Sequence, residues 1–234
     1  MIRRHMLQAL SLAALLMLAA SACQPVSANT GVLPAPTLDA PKADTRGTEV
    51  AVFAGGCFWG IEAVFERVDG VRKVVSGYAG GRAETAHYDR VSDGDTGHAE
   101  SVRIEFDPAQ ISYGRLLQVF FSVALDPTQL NRQGPDSGTQ YRSVIFTTDA
   151  TQQRIAKAYI AQLDAAHAFS SPIVTQVQPL PAFYRAEDWH QQFYDRNPNS
   201  PYIVFNDAPK VRRLQALFPS LYREPRHFVE VSLY

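Results

Sequence analysis

Apolar residues are arranged along this chain in two distinct ways. Near the N-terminus, Leu7 to Ala20 is a nearly unbroken apolar run, preceded by Arg3 and Arg4 and followed by Ser21, Ala22 and Cys23. From Val50 onward they recur with strand or helix spacing instead. Val50 to Ala54 reads as a strand, Gly55-Gly56 as a tight turn, and Ile61-Glu62-Ala63-Val64-Phe65-Glu66 as the start of a helix. Val71 to Tyr78 alternates as a strand and runs into Gly77-Tyr78-Ala79-Gly80-Gly81; after a polar loop from Arg82 to Gly97, His98 to Phe106 alternates again. Asp107-Pro108 closes that strand, and Ser112 opens a helix with Leu116, Leu117, Val119, Phe120 and Val123 at apolar spacing. A loop from Asp126 to Gln140 delivers a strand over Tyr141 to Thr147. Thr151 begins a helix reaching about His167, Ile173 to Val177 is a short strand, and beyond Pro181 the chain reads as aromatic and irregular.

Strands alternating with helices, through connections too long for hairpins, predict an α+β fold: helices packed on a mixed β-sheet in a single domain with an irregular C-terminal segment. Residues 1–22 read as a signal peptide, with a positive start, an apolar core too short to anchor permanently in a bilayer, and a small-residue cleavage zone. Two cleavage readings stand side by side. Ala20-Ser21-Ala22 fits an A-x-A site, whereas Leu18 to Cys23 resembles a bacterial lipoprotein box in which Ala20 replaces the usual leucine, making Cys23 a lipidation candidate. Both predict export; with lipidation the protein is periplasmic and lipid-anchored. Residues 23–47, rich in Pro, Ala, Ser, Thr and Asn, read as a flexible linker, and residues 48–234 as one domain.

The charge balance, 22 Lys and Arg against 23 Asp and Glu, argues against a nucleic-acid partner. No phosphate-binding glycine loop is present, so no nucleotide cofactor is expected. Two cysteines cannot build a disulfide framework or a multi-thiolate zinc site, and His98, His190, Asp93 and Asp95 follow no zinc spacing, so no metal is expected.

Attention falls on Cys57, in Gly55-Gly56-Cys57-Phe58-Trp59-Gly60 at the start of the first domain helix. Unpaired helix N–H groups there favour a thiolate and are expected to lower the thiol pKa. No basic side chain is adjacent in sequence, so further activation has to come from elsewhere in the fold. The plainer reading of Cys57 is a small buried hydrophobe. Other polar groups at glycine-flanked or strand-edge positions are Tyr88, Asp95, His98, Glu100, Asp136, Gln140, Tyr141 and Arg142.

Five blocks in order, Gly56 to Gly60, Gly77 to Gly81, Ser92 to Glu100, Gly138 to Ser143 and Ala186 to Gln191, resemble the peptide methionine sulfoxide reductase A family over roughly residues 50–200. The resemblance implies that residues 48–234 are a catalytic domain reducing methionine-S-sulfoxide in proteins, and the free amino acid as well. It implies Cys57 as the nucleophile passing through a sulfenic acid, and Phe58 and Trp59 as the wall for the substrate methyl group. Glu100 is then the proton donor to the sulfoxide oxygen, with Tyr88 and Tyr141 as phenolic donors and Asp136 as an organising carboxylate. Chemistry asks for such an acid independently, since a carboxyl stays protonated near neutral pH only where apolar surroundings raise its pKa. In isolation, Tyr88 and Tyr141 read equally as surface aromatics, Glu100 as an outward strand residue, and Phe58 and Trp59 as core.

Many members of that family carry resolving cysteines in a C-terminal tail, and this chain has none there. With no tightly bound cofactor implied, the expected reductant is an external thiol, either a dithiol or a thioredoxin-like partner. Two other readings fit the same residues: a thiol hydrolase using His98 or His190 as base, and a tethered binding domain using Phe183, Tyr184, Trp189, Phe193 and Tyr194.

Overall fold

The computed structural model describes residues 31–225. The leader, its cleavage zone and Cys23 lie outside the described residues. In chain order the elements are β1 (Glu49–Gly55), α1 (Phe58–Glu66), β2 (Val71–Ala79), α2 (Tyr88–Ser92), β3 (Ala99–Phe106), α3 (Tyr113–Val119), β4 (Arg132–Gln133), β5 (Asp136–Ser137), β6 (Ser143–Thr147), α4 (Ala150–Ala165), β7 (Gln176–Pro179), β8 (Phe183–Arg185), α5 (Phe193–Arg196) and α6 (Ala208–Leu217). The larger sheet runs β7-β6-β1-β3-β2-β8, antiparallel except for the β6–β7 pair, so the sheet is mixed as the alternation predicts. β4 and β5 form a separate two-stranded ribbon.

β1 lies at the centre, buried on both faces, which is why it reads as a continuous apolar run and not as an alternating one. Phe53 on one face joins Ile61, Phe65, Ile104, Leu117 and Phe120 in the main core, while Val52 and Ala54 on the other pack with Val144 and Phe146. α3 starts where expected, with Ser112 Oγ accepting from the Arg115 amide at 3.3 Å. α4 is capped by Asp149, whose carboxylate accepts from the Thr151 and Gln152 amides.

Four expectations are corrected. Within the proposed linker 23–47, residues 33–39 are strapped to the domain. Leu33 is 2% exposed, Gln118 Nε2 and the Tyr159 hydroxyl donate to the Leu33 and Pro34 carbonyls, and Asp39 accepts from the Ser112 hydroxyl and the Gly114 amide. Composition misled because the ordering comes from side chains far along the chain that satisfy the segment's backbone groups. The segment beyond Pro181 is not irregular: it holds β8, α5, a π-helical turn over Ile203–Asp207, and α6. The polar stretch 82–97 likewise contains α2, and Tyr141 closes a 3₁₀ turn (Thr139–Tyr141) ahead of the strand instead of opening it.

Candidate active site

Cys57 is the N-cap residue of α1 and is buried. The turn that delivers it requires glycine: Gly56 has φ +99°, and a Cβ there would lie 2.5 Å from Gln133 Cβ on the ribbon. Phe58 is buried beneath the helix start, with its ring edge-on to His190 at 4.8 Å. Trp59 is half-buried and stacks on Phe193 (centroids 3.7 Å apart, planes 9° from parallel), while Tyr202 meets it edge-on at 5.6 Å. Its indole N–H donates to His190 Nδ1 at 3.0 Å. Burial lowers the His190 pKa to about 4, against the pull of Glu187, so the ring is a neutral acceptor.

Glu100 comes from β3, opposite Tyr78 in the register, and is 4% exposed. It is not the solvated strand residue of the plainer reading. Its Oε2 accepts the Phe58 amide at 3.1 Å, so a carboxyl from the sheet caps one of the unpaired N–H groups at the start of α1. Burial raises its pKa to about 8; Asp136 and Asp207 add to the rise, and the Phe58 amide opposes it. The acid therefore keeps its proton near neutral pH, as the chemistry required.

The expectation for the thiol is corrected. The Cys57 pKa is raised well above that of an ordinary thiol, first by burial and then by Glu100 and Asp207, with the Trp59 amide and Lys210 pulling the other way. Desolvation of the anion outweighs the helix dipole here, and the first α1 amide is already engaged by Glu100.

The remaining candidates assemble around this pair. Tyr141 is half-buried, and its phenol is held protonated by burial and then by Glu100, Asp136, Cys57 and Tyr88, which places all four within electrostatic reach of it. Tyr88 opens α2 at the rim, with its amide donating to Glu187 Oε1 at 2.8 Å and its ring against Trp189 and His190. Asp136, on β5, accepts from the Tyr202 hydroxyl. Tyr202, Asp207 and Lys210 are the site residues that the sequence reading missed. They sit in the C-terminal segment, and the only available signal was a basic, leucine-spaced stretch at Lys210 to Phe218.

Neither histidine bonds Cys57. His98 accepts from the Gly81 amide at Nδ1 and donates from Nε2 to the Arg82 carbonyl, bracing the loop ahead of β3, while His190 holds Trp59. The hydrolase reading thus lacks its base. Among the described residues no group of three His, Cys, Asp or Glu side chains is placed to hold a metal ion.

A buried thiol beside a proton-bearing carboxyl, backed by phenols and an aromatic wall, on this mixed sheet, defines a thiol-dependent oxidoreductase. The family model for peptide methionine sulfoxide reductase matches residues 49–220. The chain is 58% identical over 76% of its length to peptide methionine sulfoxide reductase MsrA 2 of Mesorhizobium japonicum, covering 91% of that protein. To MsrA 2 of Synechocystis it is 55% identical over 81% of its length, covering 90% of the relative. Among solved structures it resembles methionine sulfoxide reductase A of Corynebacterium diphtheriae (36% identity, TM-score 0.57, 72% of this chain and 85% of that one). It also resembles reduced Mxr1 of Saccharomyces cerevisiae (32% identity, TM-score 0.58, 67% and 92%). The chain belongs to the peptide methionine sulfoxide reductase family.

Proposed function

We propose that this protein reduces methionine-S-sulfoxide in oxidised proteins, and the free amino acid, to methionine, with Cys57 as the attacking group. The observation that carries the reading is the placement of Glu100: a buried, proton-bearing carboxyl bonded to the first amide of the helix that Cys57 caps. Cys57 sulfur attacks the sulfoxide sulfur while the Glu100 carboxyl, with Tyr88 and Tyr141 as further donors, gives its proton to the sulfoxide oxygen. The oxygen passes from the substrate sulfur to Cys57, leaving methionine and a cysteine sulfenic acid; the thiol is oxidised by two electrons and the sulfoxide reduced by two. Phe58 and Trp59 supply the apolar surface for the methyl group, and Asp136, bonded to Tyr202, organises the donors.

Cys57 is the one cysteine among the described residues, so an external thiol is the proposed reductant. Its sulfur displaces water from the sulfenic acid to give a mixed disulfide, and a second thiol then releases Cys57. A dithiol or a thioredoxin-like protein fits that need. The leader and Cys23 further support a proposal of export and lipid anchoring in the periplasm. Labelled fatty acid on the mature protein, lost in Cys23→Ser, tests the anchor; unchanged labelling removes it.

Single-turnover reduction of each sulfoxide epimer tests the activity, using protein with and without Cys57→Ser and counting thiols afterwards. Expected is one methionine from the S epimer, the loss of one thiol, a dimedone-reactive sulfenic acid and an inert Cys57→Ser. No methionine from either epimer, with Cys57 still reduced, refutes the reading.

A further inference from the structure

The thiol needs a positive partner that its sequence neighbours do not provide, and the fold brings one from the far end of the domain. Asp207 ends the π-helical turn that follows Tyr202, is fully buried, and leaves Oδ2 without a hydrogen-bond partner. Its Oδ1 lies 3.1 Å from Lys210 Nζ on α6, a lysine whose side chain is 19% exposed. This pair is pressed onto α1 at Gly60: a Cβ there would lie 2.1 Å from Asp207 Oδ1 and 2.8 Å from Lys210 Nζ. Gly60 follows Cys57 by three residues, so the two positions share a face, and the ammonium lies about one helical turn from the cysteine. The other charged and titratable groups acting on the thiol or its neighbours here are Glu100 from β3, Asp136 from β5, Tyr141 from the 3₁₀ turn and Tyr202. All of these are acids, and among the described residues Lys210 is the cation that acts on Cys57.

We infer that Lys210 is a positioning residue for Cys57: seated by Asp207 in the space that Gly60 leaves open, its ammonium stabilises the sulfur anion as it forms in a buried, otherwise acid-lined site. A cation beside a cysteine favours the nucleophilic thiolate, and its influence is greatest where water is excluded. Asp207 holds the ammonium against α1 and opposes it at the thiol, where the carboxylate's upward pull is the larger of the two. The two members of the pair therefore act on the thiol with opposite sign, whereas a mere staple between α6 and α1 would act with one sign.

The inference rests on Cys57 being the attacking group, so it is read by alkylation, which needs no sulfoxide turnover. Full-length protein carrying Cys23→Ser, so that one thiol of the chain's two remains, is titrated with iodoacetamide across pH. In Lys210→Met the midpoint is expected to rise by about one unit, and the rate near pH 7 to fall about tenfold. Lys210→Arg should stay near wild type, and Asp207→Asn should shift the midpoint down. A Lys210→Met midpoint equal to wild type overturns the inference, as do shifts of the same sign in Lys210→Met and Asp207→Asn. If Lys210→Met does not fold, Lys210→Ala with added ethylammonium replaces it: faster alkylation on adding the amine supports the role, and no response refutes it. Failure of the proposed reductase activity would appear separately, as normal alkylation without methionine formation.

Discussion

Glu100 and Cys57 compete for the same few dipoles at the start of α1, and the carboxyl holds the nearest one through its bond to the Phe58 amide. That bond opposes the rise in the Glu100 pKa without cancelling it, because the group is buried and faces Asp136 and Asp207. The Glu100 proton that the proposed cleavage step would use is therefore present below about pH 8 and lost above it. Turnover limited by that acid should decline as pH rises through about 8. Glu100→Gln should lower kcat by roughly a hundredfold or more, the usual cost of losing a general acid, and should remove the alkaline limb of the profile. A Gln variant that turns over like wild type, or that keeps the same limb, would assign the proton to another group. Tyr141 is next in line, since its phenol remains protonated well above that range.

The elements that position the site differ in how openly the sequence announces them. β1, the Gly56 turn, α1 and β3 are short-range patterns: an apolar run, a glycine forced to positive φ, helix spacing and strand alternation. Cys57 at a helix start is accordingly legible, whereas Glu100 on its strand reads as outward-facing and is marked only by the family resemblance; α4, expected from Thr151 to about His167, spans Ala150–Ala165. The C-terminal layer was not legible, because Phe193, Tyr202 and Asp207 are ordered by Trp59, Asp136 and Gly60 across the fold. No periodicity along 182–207 records those partners. Depression of the thiol pKa was inferred from the helix start alone, and burial, a property of the finished core, reversed it. The N-terminal strap failed for the same reason as the C-terminal layer, since its order is supplied by Gln118, Tyr159 and Ser112. If that strap is part of the folded unit, Leu33→Ala should cost about 2 kcal/mol or more, the lower end for a buried leucine, measured by urea unfolding. A cost below about 0.5 kcal/mol, the level of an ordinary surface change, would return the segment to the status of a tether.

At the scale of the whole molecule, three glutamates have pKa values raised to about 7 or 8. Glu62, on the α1 face turned toward the C-terminal layer, accepts the Gln192 amide at 2.8 Å, and burial followed by Glu66 raises its pKa to about 8. Glu66 is raised to about 7 by burial and Asp195, with Arg67 opposing, and Glu100 to about 8. Each has a folded pKa above its ordinary value of 4.5, so the unfolded chain gives up these protons first. Their stabilising contribution is complete below about 4.5 and is lost as pH rises toward 7 or 8. His190 has the opposite sense: its folded pKa of about 4 lies below the ordinary 6.5, so its contribution is lost only as pH falls below that value. Above about 6.5 the histidine contribution is flat, while the three glutamates continue to titrate. Unfolding free energy should therefore decrease between about pH 6.5 and 8, at up to about 1.4 kcal/mol per unit for each group still titrating. Glu62→Gln keeps an amide oxygen to accept from Gln192 and removes one titrating group, so its slope in that window should be shallower than that of wild type. Urea unfolding of both proteins across the window decides it: equal slopes would mean that Glu62 is already ionised in the folded protein, and that the α1 interface with the C-terminal layer holds a buried charge instead of a buried acid.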